Sequence, residues 1–195
     1  MKPTMIVLAG PNGAGKSTLY EARIAQSFAG PFINADIIQR DELRNTSPAA
    51  SYEAANIASS RRADFLAQGR DFVTETVFSH PSKLELVDEA RSRGFTVIVM
   101  HVGVETPDLS VARVSARVQE GGHVVPDDKI RARYGRGAPF IRAAILNADR
   151  GMVFDNSSLN KPLSHCLTFA NGRLIFAKPR LPEWIRSVYE AELEI

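Results

Sequence analysis

Apolar positions in the first 155 residues fall into short continuous runs separated by stretches of helical spacing. Met5-Ile6-Val7-Leu8-Ala9 is apolar throughout, as a strand buried on both faces would be. Thr18 to Ala25 follows with apolar positions at Leu19, Ala22 and Ala25, which is helical spacing. Pro31-Phe32-Ile33-Asn34 reads as a second short strand. A helix is expected from near Asp36, and a longer one from Ala49 to Gln68, stopped by Gly69. Phe72-Val73-Thr74 is a third strand, and Pro81 to Arg93 a helix closed by Gly94. Phe95 to Val102 is β-branched and continuous enough to be the central strand. Thr106-Pro107-Asp108 offers a capping hydroxyl followed by proline at the first helical position. That helix should run to about Glu120 and stop at Gly121-Gly122. Asp127 to Ala148 is helical again, with Gly135 and Gly137 as expected interruptions, and Met152-Val153-Phe154 is a fifth strand.

This alternation predicts an α/β fold with a mostly parallel five-stranded sheet and helices on both faces. Near the C-terminus the pattern changes. His165 to Ala170 and Arg173 to Lys178 flank Asn171-Gly172, the dipeptide favoured in two-residue hairpin turns. A last amphipathic helix, Pro182 to Leu193, follows. The hairpin is expected to be a structural appendage on the sheet. No repeat, low-complexity tract or long linker interrupts the chain. Residues 1–195 therefore read as one domain, with a helical lid region at about 106–149 and the hairpin and helix at about 163–193.

Composition narrows the classes. At 195 residues, with 44% hydrophobic and 24% charged residues, the chain is ordinary for one globular core. A net charge of +2 argues against a general nucleic-acid-coating protein. The single cysteine, Cys166, excludes an internal disulfide and a thiolate cluster. No apolar run reaches the roughly 18 residues a bilayer span needs. These features lead to the expectation of a soluble cytoplasmic protein with no membrane partner.

Between the first strand and the first helix stands GPNGAGKS, Gly10 to Ser17, of the form GxxxxGK[ST]. Strand, glycine loop and helix form the context in which this pattern binds a nucleoside triphosphate, placing the chain in the class of phosphate-loop folds. Gly10, Gly13 and Gly15 let backbone N–H groups turn inward, and the helix N-terminus adds positive charge. The expected ATP-binding set is Gly10, Pro11, Asn12, Gly13, Ala14, Gly15, Lys16, Ser17 and Thr18. Lys16 would reach the β- and γ-phosphates, and the Ser17 hydroxyl would ligate Mg²⁺.

The guanine-reading [NT]KxD and the DxxG of GTPases are missing, as is an LSGGQ-like segment. The strongest strand ends in Met100-His101, where hydrolytic ATPases carry an acid pair. These absences favour a small-molecule kinase, which needs a phosphate loop, an acceptor-binding acid and an arginine lid. Asn34 and Asp36 follow the second strand and should face the crevice beyond the strand ends. Asp36 reads either as the base for an attacking hydroxyl or as the cap of the next helix. Glu75 and Thr76 end the third strand; Glu75 would hold an acceptor hydroxyl or a water in the magnesium shell, or simply be exposed. Arg113 and Arg117 share a helix face, and Arg131, Arg133 and Arg136 lie beyond the glycine break. Together they fit a lid over ATP, although each alone also fits a solvated surface. A nucleic-acid patch is the other reading, but interleaved aromatics are few (Tyr134, Phe140).

GPNGAGKST (Gly10–Thr18), FINAD (Phe32–Asp36), FVTET (Phe72–Thr76), RVQEGGHVVP (Arg117–Pro126) and FDNS (Phe154–Ser157) together resemble the zeta-toxin family of phosphate-loop kinases. The resemblance covers about the first 157 residues. It implies a kinase core that transfers the ATP γ-phosphate to a hydroxyl of a UDP-activated amino sugar, and an antitoxin protein that blocks the nucleotide site. It implies Lys16 and Ser17 on triphosphate and Mg²⁺, Asp36 as base on the sugar hydroxyl, Glu75 as a substrate contact, and Arg113 and Arg117 as catalytic lid arginines. Asn34, Thr76, His123 and Arg131 complete the expected substrate set. Three alternatives stay open: a nucleoside, nucleotide or other metabolite kinase, a non-catalytic ATP-binding regulatory protein, and a nucleic-acid-modifying kinase.

Overall fold

The computed structural model describes residues 2–119 and 125–194. Its strands are β1 (Thr4–Ala9), β2 (Phe32–Ile33), β3 (Phe72–Thr76), β4 (Thr96–Gly103), β5 (Arg150–Asp155), β6 (Ser164–Ala170) and β7 (Arg173–Ala177). They form one seven-stranded sheet in the order β2-β3-β1-β4-β5-β6-β7. The first five pair in parallel, with Val7 opposite Thr74 on one side and Val99 on the other. The expected parallel core is therefore present, with β1 at its centre beside β4.

The hairpin is more integrated than an appendage. β6 pairs antiparallel with β5, and β7 with β6, so the sheet continues through both strands. Cys166, Leu167 and Phe169 bury their side chains there, and β5 gains a partner for a backbone edge that would otherwise stand open. Asn171 (φ 48°) and Gly172 (φ 75°) both take positive φ, the requirement of the tight turn foreseen for this dipeptide.

Both faces of the sheet are covered. Along β1, Met5, Val7 and Ala9 enter one core and Ile6 and Leu8 the other, which is why the strand is apolar without alternation. The helices are α1 (Lys16–Arg23), α2 (Ala35–Ile37), α3 (Pro48–Gln68), α4 (Ser82–Ser92), α5 (Pro107–Gln119), α6 (Asp127–Asn147), α7 (Glu183–Val188) and α8 (Glu190–Leu193). A π-helical segment, Ile38–Leu43, continues α2. α1 packs its Leu19 into the smaller core, while α3, α4, α6 and α7 close the larger one.

Local chemistry accounts for the boundaries. Ser47 Oγ accepts the Ala50 N–H, Pro48 opens α3, and Gly69 ends it at φ 59°. α6 departs from expectation by running unbroken through Gly135 and Gly137. A Cβ at Gly137 would lie 3.2 Å from the Val77 carbonyl, so this glycine permits a close crossing and does not break the helix. The C-terminal helix is instead divided at Tyr189, whose fully buried ring anchors the chain to the sheet. Among the described residues no helix is long and apolar enough to cross a membrane.

Candidate active site

β1 delivers the chain into the glycine loop at the carboxyl edge of the sheet, and α1 leads away from it. The loop is held tightly. A Cβ at Gly10 (φ 155°) would lie 2.0 Å from the Val102 carbonyl oxygen, and one at Gly13 (φ 72°) 2.8 Å from the Ser110 carbonyl. At Gly15 (φ 97°) it would meet Asn156 Nδ2 at 2.3 Å. That Asn156 amide donates to the Ala14 carbonyl at 2.9 Å, tying the loop to the end of β5.

Lys16 is buried, and its Nζ donates to the Gly10 and Pro11 carbonyls, both at 3.0 Å. The same ammonium lies 3.5 Å from Glu75 Oε1. Glu75 Oε2 accepts from Ser17 Oγ at 2.9 Å and from Asn34 Nδ2 at 2.8 Å. Lys16, Ser17 and Asn34 thus meet on the one carboxylate of Glu75. This occurs because β3 lies beside β1 and sets Glu75 opposite Leu8, just before the loop.

Asn34 caps α2, its Oδ1 accepting the Asp36 and Ile37 N–H groups at 2.8 and 3.3 Å. The cap alternative for Asp36 therefore falls to its neighbour. Asp36 sits in the first turn, exposed, without a side-chain hydrogen bond or ion pair among the described residues, and lines the cavity in front of the loop.

That cavity measures about 550 Å³. Asn12, Gly13, Gly15, Lys16, Ser17 and Thr18 form one wall, with Glu75 and Thr76 at the back. Arg113, Arg117 and Arg133 border it from α5 and α6. Arg113 is half-buried, and its Nη1 has no hydrogen-bond partner among the described residues. Burial pushes its guanidinium pKa down, an effect that nearby Asp155 opposes. Arg133 Nη1 donates to Asn12 Oδ1 at 3.4 Å. Arg131 is not brought to the cavity: it pairs with Asp108 of α5 on the outer surface. His123 lies outside the described residues.

Arg133, one of the arginines in the expected lid cluster, does border the cavity. Three contributors are not evident from the sequence reading. Asn156 stands in the FDNS segment without an assigned role, and Arg62 on α3 and Lys83 on α4 line the cavity. A helical stripe of small residues, Ser51, Ala55 and Ala58, points along α3 to Arg62, and that spacing was the available signal.

Behind the loop, His101 is buried and its Nδ1 lies 2.9 Å from the Tyr189 hydroxyl. Desolvation, then the Lys16 charge, pushes its pKa down to about 3, so it stays neutral. Asp155 accepts from Trp184 Nε1 at 2.8 Å and from the Ser157 hydroxyl, which commits it to holding structure. No cluster of three or more metal-ligating His, Cys, Asp or Glu side chains occurs among the described residues. The donor set still fits Mg²⁺, which keeps several waters and binds through few protein oxygens plus phosphate. Ser17 with Glu75 beside it is such a set.

A parallel sheet ending in a glycine cradle, a buried lysine and an arginine-lined cavity define a P-loop kinase-like fold. The chain belongs to the Zeta toxin family, whose model matches residues 1–160. It is 29% identical over 139 residues to an uncharacterised protein of Haemophilus influenzae, covering 69% of this chain and 94% of that protein. It is similar in fold to a chain of the AvrRxo1-ORF1:-ORF2 complex crystallised with ATP (TM-score 0.68, 15% identity, 97% of this chain). It spans 63% of that chain's length. A chain of the PezAT chromosomal toxin-antitoxin system of Streptococcus pneumoniae is also similar (TM-score 0.63, 14% identity, 97% of this chain and 78% of that one).

Proposed function

We propose that this protein transfers the γ-phosphoryl group of ATP to a hydroxyl of a small molecule. One observation carries the reading: Asp36, a carboxylate without a partner among the described residues, shares a cavity with the buried Lys16 and four arginines. In the proposed step the acceptor oxygen bonds to the γ-phosphorus as the bond to the ADP oxygen breaks. The hydroxyl proton passes to Asp36, whose freedom from other partners suits it to act as base. Lys16, Arg113 and Arg117 offset charge on the transferring group, and backbone N–H groups of the loop hold the phosphates. Mg²⁺ would be held by Ser17 and would neutralise phosphate charge; Glu75 orients the Ser17 hydroxyl and Lys16 for that arrangement. Asn34 fixes Glu75 in turn, and Thr76 borders the acceptor.

The acceptor to assay first is the UDP-activated amino sugar that the family resemblance implies, together with a protein antitoxin covering the nucleotide site. The test is a mass-spectrometric screen of Mg-ATP reactions against UDP-sugars, nucleosides and a metabolite extract, with Lys16→Ala as control. A gain of one phosphate only with the intact protein supports the kinase. ATP binding with no product from any pool overturns it in favour of a regulatory nucleotide sensor.

A further inference from the structure

Among the described residues six cationic side chains line the cavity, Lys16, Arg62, Lys83, Arg113, Arg117 and Arg133, against two carboxylates, Asp36 and Glu75. Four of the cations surround the loop, where a triphosphate would be neutralised. Arg62 and Lys83 enter the cavity from α3 and α4, outside the loop and its helix.

Neither has an ion-pair partner or a side-chain hydrogen bond among the described residues, although both are half-buried. Their surroundings show that this is local: adjacent Arg61 makes a two-pronged pair with Glu42. Burial pushes the pKa of both side chains down, and the Arg62 charge lowers Lys83 further. Two like charges held close in a partly dry wall are unfavourable unless an anion joins them. Lys83 also lies in the first turn of α4, where the helix dipole disfavours a cation. Meanwhile Ser51, Ala55 and Ala58 clear space along the α3 face that leads to Arg62. Aromatic platforms are lacking: among the described residues the cavity wall has one ring, Phe78, which is only 1% exposed.

We infer that Arg62 and Lys83 form an anion subsite for a phosphate that the acceptor itself carries. The inference rests on the kinase reading of the same cavity, with Asp36 on the reacting hydroxyl and the pair on the far phosphate. A fork-shaped guanidinium beside an ammonium gives a phosphate both paired hydrogen bonds and a point charge.

Calorimetric titration of the Mg-ADP-saturated protein with glycerol 3-phosphate tests it, with glycerol as the uncharged control and UDP-N-acetylglucosamine as the nucleotide-sugar arm. Saturable binding of glycerol 3-phosphate but not glycerol is expected, weakened about tenfold or more by Arg62→Met and by Lys83→Met. Lys83→Arg should restore most of the affinity, and ADP affinity before saturation reports that each variant is folded. Glycerol 3-phosphate binding that survives both methionine variants overturns the subsite, because the anion then sits elsewhere. Binding of UDP-N-acetylglucosamine alone, indifferent to the pair, overturns it equally. Phosphoryl transfer is read separately as ADP formed from ATP. Pair-dependent binding without transfer to any acceptor sinks the kinase reading and leaves the subsite standing.

Discussion

The two walls of the cavity are built differently. On the loop wall nearly every polar group is already engaged by the protein: Lys16 with two carbonyls, Ser17 and Asn34 with Glu75, Ala14 with Asn156. Elsewhere on the cavity wall Asp36, Arg62 and Lys83 have no side-chain partners among the described residues. The loop wall is held in place by the protein itself, and a phosphate there has only to take over Lys16 from its two carbonyl partners. The far wall leaves its charges for a ligand to satisfy, and that is where discrimination between acceptors belongs.

Substitutions should separate the walls. Asp36→Asn is expected to lower turnover by about 10²–10⁴ while ATP affinity stays within about twofold, read by steady-state kinetics and nucleotide titration. Unchanged turnover would remove Asp36 from the chemistry. On the loop wall, Gly10→Ala places a methyl against the Val102 carbonyl and should cost about 3 kcal/mol of stability in urea unfolding, with ATP binding lost as well. Asn156→Ala strips the Ala14 carbonyl of its partner, costing about 1–3 kcal/mol and weakening ATP binding in parallel. An Asn156 variant with normal stability would show that the loop does not need this tie.

A pH-dependent effect concerns His101, packed behind the loop. The unfolded imidazole takes a proton near pH 6.5, whereas the buried one stays neutral down to about pH 3. Between those values the unfolded chain binds more protons, so stability falls as pH falls, by about 1.4 kcal/mol per pH unit from this group. His101→Gln should flatten that acid limb in unfolding curves taken from pH 6.5 to pH 4. An identical limb in the variant would assign acid sensitivity to other groups.

Much of the loop wall was legible in the residue order, because its chemistry is local. Gly10 to Ser17 contains its own turn requirements, and the flanking strand and helix need no distant partner to be recognised. Glu75 and Asn34 were legible as strand ends facing a crevice, but their meeting on Ser17 depends on β3 lying beside β1. The far wall was nearly silent. Arg62 sits in a helix of alanines, serines and charges whose cavity-facing side is small and polar, so no apolar stripe marks which face turns inward. Arg131 and Arg133 are two residues apart on α6, which points them in different directions; the orientation of α6 against α5 decides that Arg131 reaches Asp108 and Arg133 reaches Asn12.

By itself, then, the sequence determined the parallel α/β core, the phosphate loop with its lysine and serine, and the hairpin turn at Asn171-Gly172. Each of these rests on backbone conformation or on periodicity within a few residues. Tertiary structure alone decided that the hairpin extends the sheet, that Asn156 clamps the loop, and that two cations from α3 and α4 line one cavity with Asp36. Those outcomes bring together residues tens of positions apart. Strand order and helix packing set such distances, and no local pattern encodes them.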